Sequence, residues 1–499
     1  MEKKKLLFVG MFSLLFMLCV ACSSSSNAGG AEEITIMANL TSAQAPAEDN
    51  PILEKLEEST NTKLKITWVM DEVYDEKLNA VIATGSAPQA MFVKNQDSFK
   101  KMKDSINEEQ YWNIEPFLDD YEYLSNLDPD VLNNTKVNGK LYSLYSGRPA
   151  SRWGLIYRKD WADNLGLEAP TNTDELYEMF RAFTEDDPDG NGEDDTIGVA
   201  AASDLVYGGF KFTSSYFGTP NNWGEKDGEL LPEFMFDSYI DTMDFFKDLR
   251  DNGYVNLDFP ATSQSDQNDM LITGKAGALV SCICSAGSFQ DQIQKNNPDA
   301  VLDVQNRISG PNNGPGNWSN SGYGAVVLFP KASNETEEDL REVLAFFNEL
   351  MKPENYNLLT YGIEGTHYEV VDGKAKGIES AAELSQHEVR PVLGLVIGDE
   401  TTVDAYQPYP KNELYAKQYE QILDNNNILI NDPTAPLDSE TYGEKGGSLQ
   451  QIINDATVNY MLGDINRDGF HKEIERWKKE GGEQVIEEYN GEYKQSVSN

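Results

Sequence analysis

The run Asp187-Pro188-Asp189-Gly190-Asn191-Gly192 places side-chain oxygens at alternate positions and follows them with a glycine. Oxygen ligands at positions 1, 3 and 5 with Gly at 6 open a calcium loop. A hard cation takes carboxylate and carbonyl oxygens, and the glycine permits the sharp turn. Asp187, Asp189 and Asn191 supply the side chains, and Glu193 at position 7 would offer its backbone carbonyl. Position 12 is Gly198 rather than a bidentate Glu, so the run is not a complete EF-hand. The expected metal is calcium in a structural role, neutralising clustered carboxylates and fixing a loop. A second run, Asp464-x-Asn466-x-Asp468-Gly469 with Glu475 at position 12, fits the same template. Its ninth position is Lys472, a cation, which argues against metal there.

Catalytic constellations are scarce. The chain has three histidines, His367, His387 and His471, and none stands in an HExxH pattern. There is no G-x-S-x-G elbow, P-loop or dinucleotide fingerprint. With 84 acidic residues a suitable carboxylate pair exists by chance alone, so such a pair says nothing about glycoside hydrolysis. Cys282 and Cys284 share a face at strand spacing, which is poor geometry for a mutual bond, and are expected to be small core residues.

The residues must be carried by something outside the cytoplasm. Lys3, Lys4 and Lys5 precede the uncharged apolar run Leu6–Val20, a secretory signal too short to span a membrane. The stop at Ala21-Cys22, followed by four serines, resembles a bacterial lipobox, although Cys19 stands where Leu is usual. Cys22 is thus the expected lipidation site, residues 1–22 the signal, and 23–31 a polar, flexible tether. No later segment is long and apolar enough to span a bilayer. The formal charge of −44 argues against a nucleic-acid partner, which would need a basic face.

Hydrophobic periodicity predicts alternating elements. Ile34–Met37, Leu64–Val69 and Ala90–Val93 read as strands, separated by helices over Asn50–Asn61 and Tyr74–Ala83. That alternation implies a parallel, doubly wound α/β lobe with ligands at the strands' C-terminal ends. It restarts with a strand at Trp153–Tyr157 and a helix over Asn172–Phe183 capped by Thr171 or Thr173. Further strands are expected at Ala276–Ile283 and Tyr323–Phe329, helices over Tyr239–Asn252, Asp266–Thr273 and Glu337–Met351, and helix from Leu449 onward.

Residues 33 to 495 resemble the extracellular solute-binding proteins of carbohydrate ABC importers. The resemblance is carried in order by Ala83-Thr84-Gly85-Ser86-Ala87-Pro88, Tyr157-Arg158-Lys159-Asp160-Trp161 with Leu165-Gly166-Leu167 and Pro170, the Asp187–Gly192 run, and Gly274-Lys275-Ala276-Gly277. It implies a two-lobed, periplasmic-binding-protein-like α/β fold with hinge segments and an interlobe ligand cleft. Residues 32–148 plus about 328–390 would form the first lobe, and 153–325 plus about 391–499 the second. It also implies that the cation loop closes through its ninth position and an acid at its tenth, here Asp195 and Thr196, a weakened last ligand for which Asp194 or water would substitute, and that 464–475 is a helix start.

The implied ligand is an oligosaccharide, the implied partner an ABC permease, and the implied place the outer face of the cell membrane through the lipid anchor, as a monomer. A sugar needs flat apolar faces for its C–H side and planar polar groups for its hydroxyls. Trp68, Trp112, Tyr145, Arg148, Trp153, Phe217, Trp223, Trp318 and Tyr323 stand at strand ends, loops or expected lobe crossings, and Lys94 and Asn95 follow the third strand. Two other readings stay open, a peptide- or other solute-binding importer protein and a secreted glycoside hydrolase. Ligand panels and a hydrolysis assay separate them.

Overall fold

The computed structural model describes residues 32–497 except 41, 43, 108–109, 204–205 and 207. The signal, Cys22 and the tether therefore lie outside the described residues. Two hydrophobic cores divide the chain. One gathers Ile34 to Tyr145, Tyr323 to Leu359 and Val389 to Val403. The other side holds Leu155 to Ile308 and Leu437 to Tyr489 in one cluster, with a satellite reaching Ile422 and Leu414. The third transition thus falls between Val403 and Leu414, not near 390. The apolar run Val392, Leu395, Val396 and Ile397 buries itself in the first lobe.

The first lobe's sheet has the order Thr62–Met70, Glu32–Leu40, Ala90–Val93, Tyr323–Leu328, Ser143–Gly147. The first three strands are parallel, as the alternation predicts. Tyr323–Leu328 runs antiparallel to both its neighbours. The cause is topological: Ser143–Gly147 leaves toward the second lobe, and Tyr323–Leu328 is the chain returning from it. The whole of Tyr323–Leu328 is therefore first-lobe structure, and the second crossing precedes Tyr323. The second lobe's sheet, in the order Leu302–Gln305, Trp153–Arg158, Ala276–Cys282, Ile197–Val199, has its one parallel pair at the Ile197–Val199 edge.

Local signals set the helices. Asn50 Oδ1 accepts from the amides of Ile52 and Leu53 and starts Pro51–Thr60. Thr336 and Asp339 form a reciprocal capping box for Glu337–Leu350, whose Leu340, Val343, Leu344 and Phe347 face the first core. Thr173–Glu185 is capped by Asn172 rather than by a threonine. Asn172 accepts from the Glu175 amide while the Glu175 carboxylate reaches back to Thr171. The C-terminal helices Glu440–Met461, Arg467–Trp477 and Glu483–Val497 close the second core through Leu449, Phe470, Trp477 and Val485.

Cys282 and Cys284 are joined as a disulfide. The strand ends at Cys282, and a single 3-10 turn, Ile283–Ser285, follows. The turn swings Cys284 back beside Cys282, which an unbroken strand would not do. No described helix is long and apolar enough to cross a membrane.

Candidate ligand-binding cleft and cation loop

The lobes are joined where three segments lie side by side. Gly147 N donates to Gly398 O at 2.8 Å, Arg148 N to Gly322 O at 3.0 Å, and Asn320 N to Ala150 O at 2.7 Å. Gly147 has no room for a side chain, since a Cβ would stand 2.6 Å from the Asp399 Cβ and 2.7 Å from the Gly398 oxygen. Behind the crossing a buried amide network fixes the floor. Asn317 Nδ2 donates to the Trp153 carbonyl at 2.7 Å and to Asn425 Oδ1 at 3.0 Å. Asn425 Nδ2 in turn donates to the carbonyls of Ser151 and Trp153, and Asn221 Nδ2 to those of Ser319 and Ile430. These buried amides tie four backbone carbonyls and hold that backbone in one arrangement.

Over that floor lies an interlobe cavity of about 340 Å³. The first lobe contributes Gln96, Phe99, Lys100 and Tyr323, and the second Lys211, Phe212, Asn222 and Asp432, with Trp153 and Trp318 at the crossings. The Trp153 indole stacks on Phe212 with ring centroids 4.0 Å apart and planes 3° apart. Trp318 meets Phe212 edge-on. Lys211 sits on the helix Gly209–Tyr216 with Nζ 3.1 Å from the centre of the Trp318 ring, and it donates to Asn222 Oδ1 at 2.5 Å and to Glu233 Oε1 at 3.2 Å. Burial holds the Lys211 ammonium below its ordinary pKa and the Glu233 carboxyl above its own, each against the attraction of the other. A hinge-side cavity adjoins, lined by Arg148, Asp128 and Glu400. Burial, and next to it Asp399, raises the Glu400 pKa. Among the described residues Lys100 and Arg148 line these cavities without an ion pair. Arg152 is likewise unpaired, and its pKa is lowered by burial and by Arg148.

Of the residues expected to bind ligand, the structure brings Trp153, Trp318 and Tyr323 together in the interlobe cavity, with Arg148 beside it. Trp223 lines a further cavity and packs on Tyr489. The others have different engagements. Tyr145 is buried in the first core, its hydroxyl accepting from the Asp128 amide. Trp112 donates from Nε1 to the Asn334 carbonyl at 2.7 Å. Phe217 packs on Phe245, and Trp68 against the first core. Lys94 donates to the Asp71 carbonyl at 2.6 Å and lies 3.7 Å from Asp75. Asn95 accepts from the Ser98 amide and opens the helix Gln96–Asn107. Lys100, Lys211, Phe212 and Asn222 were not singled out from the sequence. The Asn221-Asn222-Trp223 loop was a usable signal for one of them; a lysine inside an ordinary helix was not.

The cation loop has the turn geometry its spacing requires. Asp187 adopts φ +46°, Gly190 +70° and Gly192 +80°. Asp187 Oδ2 accepts from the Gly192 amide, Asp189 Oδ1 from the Asn191 amide, and Asn191 Oδ1 from the Glu193 amide. Asn191 Nδ2 reaches both Asp189 and Asp195, so those side chains converge. Asp187 Oδ1 is buried without a partner, an orphan that a cation would satisfy. Among the described residues no three His, Cys, Asp or Glu side chains form a cluster able to hold a metal. A donor set here must therefore include the Asn191 amide oxygen and the Glu193 carbonyl. Thr196 does not fit it, because its hydroxyl is buried and donates to the Phe183 carbonyl at 2.8 Å. The other run is no loop at all: Asn466 caps Arg467–Trp477, and helical geometry cannot wrap an ion.

Two α/β lobes and a ligand-sized cleft between them define a two-lobed solute receptor. The chain belongs to the bacterial extracellular solute-binding protein family, whose model matches residues 37–357. It is 40% identical to the polygalacturonan/rhamnogalacturonan-binding protein YtcQ of Bacillus subtilis (strain 168), over 91% of this chain and 90% of that protein. It is 33% identical to the lipoprotein LipO of the same organism, over 99% of both chains. Among solved structures, an HMO-binding, ABC-transporter-associated solute-binding protein from Bifidobacterium longum infantis matches with a TM-score of 0.71 at 17% identity, covering 93% of this chain and 99% of that one. This last likeness is one of fold.

Proposed function

We propose that the protein is a lipid-anchored receptor, held at the outer face of the cell membrane through Cys22, that captures an acidic oligosaccharide between its lobes. It would act as a monomer, hand the sugar to an ABC permease and perform no covalent chemistry. The observation that carries the reading is the interlobe cavity itself: the stacked Trp153–Phe212 pair beside amide groups, with Lys100 facing it unpaired. Aromatic faces suit the C–H side of sugar rings, and an unpaired ammonium suits a uronate carboxylate. The ligand of the relative YtcQ supports the same class. Calorimetry with galacturonic acid, oligogalacturonides, rhamnogalacturonan oligosaccharides, neutral oligosaccharides and peptides tests it. Tight binding of the acidic oligomers is expected. Preference for a peptide or for the monosaccharide would defeat the reading, as would hydrolysis of a bound oligomer.

Two parts of the proposal have their own checks. Cys22→Ala should release the protein into the medium, since the acyl anchor is lost; membrane retention of that variant would contradict the anchor. Calcium held by Asp187, Asp189, Asn191, the Glu193 carbonyl and Asp195 would neutralise the loop and stabilise the second lobe. Chelation should then lower the melting temperature, by about 2–4 °C for each kcal/mol of linked binding. Asp187→Ala combined with Asp189→Ala should remove that sensitivity. Equal melting with and without chelator in the unmutated protein would exclude a bound cation.

A further inference from the structure

The interlobe cavity does not end at the second lobe's edge. A cavity of about 330 Å³ continues from it, lined by Trp223, Glu233, Tyr442, Gln450 and Tyr489. Lys100, Asn222, Asp432 and Ala435 border both spaces. Apart from Lys100, every wall belongs to the second lobe, and the far wall is the helices Glu440–Met461 and Glu483–Val497. Apart from the Lys100 side, its shape therefore does not depend on how far the lobes have closed.

We propose that this cavity is a subsite which binds one end of an oligosaccharide on the second lobe alone, beyond the closing jaws. The inference rests on the proposed oligosaccharide reading and adds a preference for chain length. Three observations support it. The first is continuity, because a chain seated on Trp153 can pass Asn222 and Asp432 without leaving a lined channel. The second is an aromatic cluster with a member at the mouth. Trp223 and Tyr489 meet at 5.0 Å, Tyr489 and Tyr442 at 6.2 Å, and Tyr442 is 42% exposed despite its size. The third is an orphan acceptor. Glu233 lines the cavity at 9% exposure; Lys211 occupies its Oε1, and its Oε2 has no hydrogen-bond partner.

A buried acceptor without a donor is costly, and a turn of the Glu233 side chain, whose Oε2 is closed to solvent as it stands, would bring that oxygen to a ring hydroxyl and relieve it. Asp432 already accepts from Asn222 and Thr434, so Glu233 is the acceptor left for the ligand, and the unit bound here presents a hydroxyl to it. A receptor built so captures a chain on the rigid second lobe first and completes the contacts when the first lobe closes.

The test is calorimetry with the rhamnogalacturonan tetramer and octamer on the whole protein, on Tyr442→Ala and on Gln450→Ala. Tyr442 is exposed and its replacement should fold; melting curves verify this, and Gln450→Ala gives a second reading of the same wall. The unmutated protein should bind the octamer about tenfold tighter than the tetramer, the equivalent of one good aromatic contact. Both variants should bring that ratio close to one. A ratio near one in the unmutated protein, or a ratio left at its full value in both variants, would overturn the subsite while the interlobe reading stands. Failure of the unmutated protein to bind either oligomer or an oligogalacturonide would overturn both.

Discussion

Replacing Trp153 by alanine is expected to weaken oligosaccharide binding by about thirtyfold, or about 2 kcal/mol, with little change in melting temperature. The indole is partly exposed, and its one stacked partner is Phe212, 4.0 Å away, so its loss opens no closed core. What is removed is a flat apolar face held by fixed backbone. The Trp153 carbonyl accepts from both Asn317 and Asn425, so the platform is set before ligand arrives. Preorganisation of this kind is what converts an aromatic contact into affinity, because no ordering remains to be done on binding. Trp153→Phe should recover part of the loss. Equal affinity in Trp153→Ala and the unmutated protein would place the sugar elsewhere.

The largest stability effect is expected at Lys211. Lys211→Met leaves the Glu233 carboxylate buried with no cation, and breaking one partner of a buried pair costs about 3–5 kcal/mol. The double variant Lys211→Met with Glu233→Gln should recover most of that, since no buried charge remains. The pH dependence has a defined sign. Burial already raises the Glu233 pKa, and removal of Lys211 raises it further. A carboxyl with a raised folded-state pKa is stabilised as pH falls, so the deficit of Lys211→Met should shrink from pH 7 toward pH 5. A deficit of the same size at both values, read by denaturant unfolding, would show that the cost comes from packing rather than from charge.

The lobes were legible because their strands and helices alternate with caps and turns that act locally, as at Asn50 and the Thr336–Asp339 box. Lobe membership was less so. Val392 to Ile397 has the same apolar character whichever core receives it, and only the tertiary fold assigns it to the first. The strand reading of Cys282 and Cys284 failed because the 3-10 turn Ile283–Ser285 reverses their relation. Within the cleft, Trp153, Trp318 and Tyr323 were found because they flank crossings, while Trp112 had the same sequence signature and donates instead to Asn334. Lys211 escaped because lysine is rarely buried, and nothing near it in sequence announces that Glu233, Asn222 and Trp318 will surround it.

The central claim is that an acidic oligosaccharide is held between the lobes, and a crystal structure of the protein with a rhamnogalacturonan oligosaccharide tests it most directly. The predicted result is a sugar ring against the face of Trp153, a uronate carboxylate within hydrogen-bond distance of Lys100 Nζ, and the first and second lobes both in contact with the chain. A sugar bound with the interlobe cavity left open and untouched would contradict it.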